Sequence, residues 1–380
     1  MLTRFWKKQN RVLSNYFKTG FVPRVLISGV NRAFFKKFNF KHNNQAEAME
    51  MAKVFHELGY QVDVVNYDNP MAIDYSRYDV VIGSGNPVEN LFLGTPSRFP
   101  KTIFYACGAY TPFSNTASLG RLDDLYRRKR IWLPGSARLS NPGLGIERVV
   151  DGLLVLGNAF TAGTYRAITP RPVHQLPLGF LKTADATEII DSRDLAQTRQ
   201  HFMWFSGTGL VHKGLDLALE AFSRHPELHL HIYGDIEQEG AFIRAFRHEL
   251  RELPNVHVES FLSLLSPEFT AALRTTAFIL CPSCAEGCSS SVLNICGNGG
   301  QIPMLTRQCG IELKDFGILI QDTTVEAVEA ALLEAASLTD AELERRQRSS
   351  AAFFHQEHSM EQFHLRMKRA VQSILAGGEA

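Results

Sequence analysis

The chain has 380 residues, 45% of them hydrophobic, and a formal net charge of +1. That length suits two domains of ordinary size, each with a substantial buried core. The near-neutral balance provides no global field that would select nucleic acid, and no apolar run is long enough to span a membrane.

Residues 1–21 place Leu2, Phe5, Trp6, Leu13, Tyr16 and Phe17 at helical spacing, with Arg4, Lys7, Lys8, Arg11 and Lys18 around them. A basic amphipathic segment of this kind suits an anionic membrane surface, and a helix docked on the protein is the alternative. With no long apolar leader, the expected location is the cytoplasm, peripheral on the inner face of the membrane if the segment binds there. Arg24 to Gly29 reads as a strand, followed by a polar, basic loop through Phe40. Ala46 to Leu58 is an amphipathic helix with Ala48, Met49, Ala52, Phe55 and Leu58 on one side. Further strands are expected at Gln61–Tyr67, Asp79–Ile82, Lys101–Ala106, Leu153–Gly157 and Val173–Leu178. Alternating strands and helices give a doubly wound, mostly parallel sheet. His42 and Asn43 precede the first helix, where they would face the crevice at the carboxyl ends of the strands; they are acceptor-side candidates or solvated loop residues. Arg127 to Arg130 reads as the solvated face of a helix, with an acceptor phosphate or lipid headgroup as the alternative.

Lys182 to Arg199 is polar and charge-mixed, and a hinge is placed there. Alternation then resumes: strand 202–206, helix 214–224, strand 228–233, helix 239–252, strand 256–260, helix 267–274 and strand 277–281. His229 and His231 alternate along a strand and are read as residues of its face rather than as ligands. Helices follow at 324–336, 340–353 and 359–375.

Two turns carry the chemistry. After strand 202–206 comes Gly207-Thr208-Gly209-Leu210-Val211-His212-Lys213-Gly214, then a helix. Glycines let backbone approach an anion and Lys213 adds a point charge. After strand 277–281 comes Pro282-Ser283-Cys284-Ala285-Glu286-Gly287, and then Ser289, Ser290 and Ser291 open an apolar helix. A helix start presents unpaired N–H groups, here beside a carboxylate. Five of the six cysteines lie within 281–309. Cys281, Cys284 and Cys288 straddle a strand end, a loop and a helix start, so buried thiols are preferred to a metal site.

These residues resemble the nucleotide-binding domain of retaining GT-B glycosyltransferases, the group (family 4, glycosyl transferases group 1) that includes sucrose synthase and many bacterial polysaccharide sugar transferases. Lys213-Gly214, Pro282 to Gly287 and Gly300…Pro303 fall in the family's order, and the similarity spans roughly residues 200–370. The resemblance implies a GT-B α/β fold, two Rossmann-like doubly wound domains facing across a cleft. The expected division is the segment 1–21, an acceptor domain 22–190, a nucleotide-sugar domain 191–358, and a C-terminal helix 359–380 returning to the first domain. Lys213 and Glu286 are the implied catalytic residues. Gly207, Thr208, Gly209, Lys213, Glu286, Gly287, Ser289, Ser290, Ser291 and Asn294 would bind the donor. Two positions depart: the family's arginine falls on Thr208, and its second glutamate, which binds the ribose diol, falls on Asn294.

The implied activity transfers a sugar, with retention, from a nucleotide-diphosphate sugar to a saccharide or lipid-linked saccharide in cell-surface polysaccharide synthesis. No Asp-x-Asp motif ends a strand, so no metal and no cofactor beyond the donor substrate is expected. A nucleotide-sugar epimerase and a non-catalytic nucleotide-sugar-binding protein are the alternatives.

Overall fold

A computed structural model of the chain describes residues 11–36 and 43–378. It divides into two compact units.

Unit 1 comprises Met1–Cys107, Asn141–Leu176 and Glu361–Ala380. Its strands are β1 (Arg24–Gly29), β2 (Gln61–Asn66), β3 (Val80–Gly83), β4 (Lys101–Ala106), β5 (Gly152–Leu156) and β6 (Val173–Leu176). They form one parallel sheet in the order β2-β1-β3-β4-β5-β6. Val25, Leu26, Ile27, Val80, Val81 and Ile82 are sealed from solvent, the near-continuous apolar reading of strands covered on both faces. The helix Met360–Leu375 turns Phe363, Met367, Ala370, Val371 and Ile374 inward at helical spacing. Ile374 lies against Gly152 so closely that a Cβ there would sit 2.8 Å from its Cγ1. His364 bridges Glu50 and Glu57 of the helix Asn44–Glu57 at 2.9 and 3.1 Å.

Residues 11–21 depart from the expected amphipathic helix. Leu13 pairs antiparallel with Val64 through bonds of 2.8 and 2.9 Å, and Tyr16 N–H donates to Val62. The strand β2 is the sheet edge, and its free backbone groups find partners in an extended segment that a helix could not supply. Tyr16 packs edge-on against Phe34, and Phe17 stacks on His56. Residues 1–10, the rest of that predicted segment, lie outside the described residues, as does His42.

Unit 2 comprises Gly108–Ser140 and Pro177–Met360. Its strands are β7 (His201–Phe205), β8 (His229–Tyr233), β9 (Val256–Val258), β10 (Phe278–Cys281), β11 (Ile302–Leu305) and β12 (Ile318–Leu319), parallel in the order β12-β11-β10-β7-β8-β9. Phe202 stacks on Phe278 at 4.7 Å in a core with Phe222, Leu230, Ile232, Phe242 and Phe246. Helix 239–252 is interrupted at Phe246, whose buried ring separates Gly240–Ala245 from Arg247–Arg251. Alternate residues of β7, β8 and β9 bring four imidazoles onto one face. His201 meets His231 at 2.8 Å and His229 meets His257 at 3.2 Å, with the His201 and His229 rings stacked 4.6 Å apart.

The helix Thr111–Lys129 belongs to this unit, and Leu122, Leu125 and Leu133 enter its core. Arg121 holds both oxygens of the fully buried Asp216, at 3.0 and 2.7 Å, and Arg128 reaches the same carboxylate at 2.7 Å. The charge run 127–130 is therefore a solvated face only in part: Arg127 and Arg130 are exposed, whereas Arg128 and Lys129 turn to acidic partners. Arg128 spans Asp124, Asp216 and Glu220, and Lys129 pairs with Glu249. A buried Asp216 would be untenable without cations, and Arg121 and Arg128 supply them.

Candidate functional site

The site lies in unit 2, at the carboxyl ends of β7 and β10. Two turns leave these strands and touch through backbone. Gly214, at φ +70°, lies so close to Pro282 that a Cβ would fall 2.5 Å from the proline carbonyl, and Cys284 N–H donates to His212 O at 3.0 Å. This contact brings Lys213 and Glu286 together. Lys213 Nζ donates to Glu286 Oε1 at 2.6 Å, and the Ser283 hydroxyl donates to the same oxygen at 2.9 Å. Arg138 Nη1 lies 3.4 Å from Glu286 Oε2. The side chains of Lys213 and Glu286 are each only 10% exposed, whereas that of Arg138 is half exposed. Burial alone would raise the Glu286 carboxyl, but the charges of Lys213 and Arg138 overcome it and hold the group down at about 2. His212 Nε2 donates to Ala285 O (2.6 Å), and its Nδ1 accepts from the Ser118 hydroxyl (2.5 Å). Burial pushes it down to about 4, so it is neutral at pH 7.

The Gly-rich turn is already in contact with an anion. Glu239 accepts from Gly209 N–H at 2.5 Å and from Leu210 N–H at 3.2 Å, and the Ser136 hydroxyl donates to it as well. Backbone N–H groups aimed at one carboxylate make a cradle for negative charge. Gly207 and Thr208 are exposed on the same turn. Gly287 is buried at the tip of the second turn, followed by the helix Ser290–Gly299 with Ser289 at its N-cap. Ser289 N–H donates to Cys309 O, its hydroxyl meets that of Ser291, and Ser290 and Ser291 are half-buried.

The predicted donor residues do not all converge. Asn294 is buried, and its Oδ1 accepts from Leu181 N–H at 2.8 Å. One turn later Asn298 takes the N–H groups of Thr183 and Ala184, so the two amides clamp the segment 181–184 to this helix. In unit 1, Asn43 stands at the N-cap of Asn44–Glu57, buried and without a side-chain cap bond to the helix. Near it, Glu47 accepts from the Tyr105 hydroxyl at 2.8 Å, and burial raises its carboxyl to about 7. Sequence reasoning missed Glu47, Arg138, Glu239 and His212. Only His212, next to Lys213, stood in a recognisable motif; Arg138 lies 148 positions before Glu286, with no local pattern to mark it.

The five cysteines of 281–309 are buried and Cys107 is exposed. Burial raises the Cys284 thiol to about 12. Among the described residues no group of three or more His, Cys, Asp or Glu side chains is arranged to hold a metal ion, and no helix is long and apolar enough to cross a membrane.

No protein-family model matches the chain, and no curated protein matches it by sequence. Solved structures do. The sucrose-phosphate synthase of Thermosynechococcus elongatus superposes with a TM-score of 0.65 at 11% identity, over 94% of this chain and all of that one. A glycosyltransferase of Rickettsia africae gives 0.61 at 12% identity, over 93% of this chain and 99% of the other. HepE of Anabaena, crystallised with UDP and glucose, gives 0.59 at 11% identity, over 92% of this chain and all of HepE. With two six-stranded parallel sheets, each in its own unit, these likenesses define the fold as GT-B, built from two Rossmann-like units.

Proposed function

We propose that the chain is a glycosyltransferase that moves a sugar, with retention and without an essential metal, from a nucleotide-diphosphate sugar to a saccharide or lipid-linked saccharide acceptor. The observation that carries this reading is the Glu286 carboxylate, held between Lys213 and Arg138 where two turns meet at strand carboxyl ends. In open α/β sheets ligands bind at such ends. A donor diphosphate would take Lys213 from Glu286, and the freed carboxylate would face the sugar. As the bond to phosphate breaks, negative charge grows on the leaving diphosphate and positive charge on the sugar ring. Lys213 stabilises the first and Glu286 the second, and interactions that strengthen as charge develops are those that accelerate a reaction. HepE and the sucrose-phosphate synthase, similar in fold, support this reading. A lipid-linked acceptor in polysaccharide synthesis would go with membrane-surface contact by residues 1–10, whose removal should then abolish sedimentation with anionic vesicles.

The engagement of Asn294 by Leu181 favours a second reading, a protein that binds nucleotide sugars without turnover. Mass spectrometry of a nucleotide-sugar panel, incubated with saccharide acceptors, separates the two. Release of a nucleoside diphosphate by the native protein, and much slower release by Glu286→Gln, supports transfer; binding with no release from any donor supports the second reading.

A further inference from the structure

The turn at Gly207–Gly214 carries one cation, Lys213, because Thr208 stands where the resembling family has an arginine. A different part of the chain brings a second cation to the same place. Residues 134–138 dock on the turn: His212 N–H donates to Ser136 O at 3.2 Å, and Ser136 shares Glu239 with the amides of Gly209 and Leu210. The Arg138 stem then lies directly over Gly209. A Cβ at Gly209 would fall 2.4 Å from Arg138 Cγ and 2.7 Å from Cδ, and at φ +89° only glycine is unstrained there. The guanidinium ends at Glu286, beside Lys213.

Charge argues that Arg138 does more than pack. Lys213 and Arg138 are matched by Glu239 and Glu286, so the cluster is balanced as it stands. A diphosphate brings at least two further negative charges. Glu286 holds both cations now, and a phosphate competing for them would find one buried and one half exposed within the same few ångströms. A planar guanidinium can also bind phosphate through two parallel bonds, which lysine cannot.

We propose that Arg138 is the second phosphate-binding cation of this site, leaving Glu286 to pair with the donor diphosphate and supplying from residues 134–138 the charge that position 208 lacks. This rests on the nucleotide-sugar reading above. The test is calorimetric titration of the full chain with UDP, GDP and ADP and with their parent nucleosides, at two salt concentrations. Arg138→Gln should weaken binding of the preferred diphosphate roughly ten- to a hundredfold, leave nucleoside binding unchanged and flatten the salt dependence. Adding Thr208→Arg to that variant should recover most of the loss. Diphosphate affinity unchanged by Arg138→Gln, while Lys213→Ala weakens it, would overturn this proposal and leave the functional reading standing. An equal loss for nucleoside and diphosphate would show Arg138 to be a packing residue. No binding of any diphosphate by the native chain would overturn both.

Discussion

Glu286, Lys213 and Arg138 form one electrostatic unit, so substitutions among them should not act alike. Lys213→Ala removes a charge-assisted contact and should weaken diphosphate binding by about 1.5–3 kcal/mol, read by calorimetry. Glu286→Gln releases both cations while keeping the side-chain volume. Steady-state kinetics should show kcat falling roughly tenfold to a thousandfold, with donor KM changed much less; a large rise in KM at native kcat would make Glu286 a plain binding residue. Glu47 gives a test in unit 1 that is independent of activity. Its carboxyl is raised from 4.5 to about 7, so the stability it contributes is full below pH 4.5 and is lost as pH rises through 7. Glu47→Gln should therefore be more stable than the native protein at pH 8, by about 2–3 kcal/mol, with the gain shrinking toward pH 5. Thermal melts at the two pH values decide. The meeting of Lys213 with Glu286 could be anticipated because each sits in a turn after an apolar strand. Arg138 and Glu239 could not, because their position depends on how distant loops pack. Asn294 shows the limit of reading by position: its place on the helix was legible, but that its amide would clamp Leu181 was not.

Most strands were legible because parallel strands buried on both faces read as near-continuous apolar runs, as in β1, β3 and β5, whereas the two-residue β12 was not anticipated. The N-terminal segment misled for a physical reason. Leu13, Tyr16 and Phe17 sit at helical spacing, yet the open edge of β2 offers backbone partners and the rings of Phe34 and His56 offer packing. The histidine face of β7, β8 and β9 carries a prediction of its own. Burial first, and the neighbouring imidazoles second, lower His201 and His257 and take His231 down to about 3. Glu259, 3.7 Å from His231, is the acidic group facing them. Groups lowered from 6.5 contribute stability that is full above that pH and lost as pH falls below it. The melting temperature should drop between pH 7.5 and 5.5, with His231 costing about 1 kcal/mol at the lower value. His231→Gln should flatten that dependence, and an equally steep one in the variant would refute the assignment.

At the scale of the molecule, neither unit is one continuous piece of chain. Unit 2 takes residues 108–140 from the first half of the sequence, and they are not an ornament on it. They bring Leu122, Leu125 and Leu133 to the core and Arg121 and Arg128 to Asp216. A fragment 177–360 would leave that buried aspartate without cations, a loss of about 3–5 kcal/mol before any apolar contact is counted. It should fail to fold independently. A well-dispersed amide spectrum and native-like protease resistance in the fragment would refute this. Only the last turns of the helix Thr111–Lys129, around the charge run 127–130, were legible in sequence; its membership of unit 2 was not, because Asp216 lies far along the chain.

The distribution of thiols has a practical consequence. Cys107 is open to reagent, while the other five, all between 281 and 309, are sealed within the unit that carries Lys213 and Glu286. With Cys107 replaced by serine, a maleimide dye can react only when that unit opens, so labelling time becomes a measure of local opening. Any small molecule that lengthens it is a binder of unit 2, detected before donor, acceptor or product has been identified.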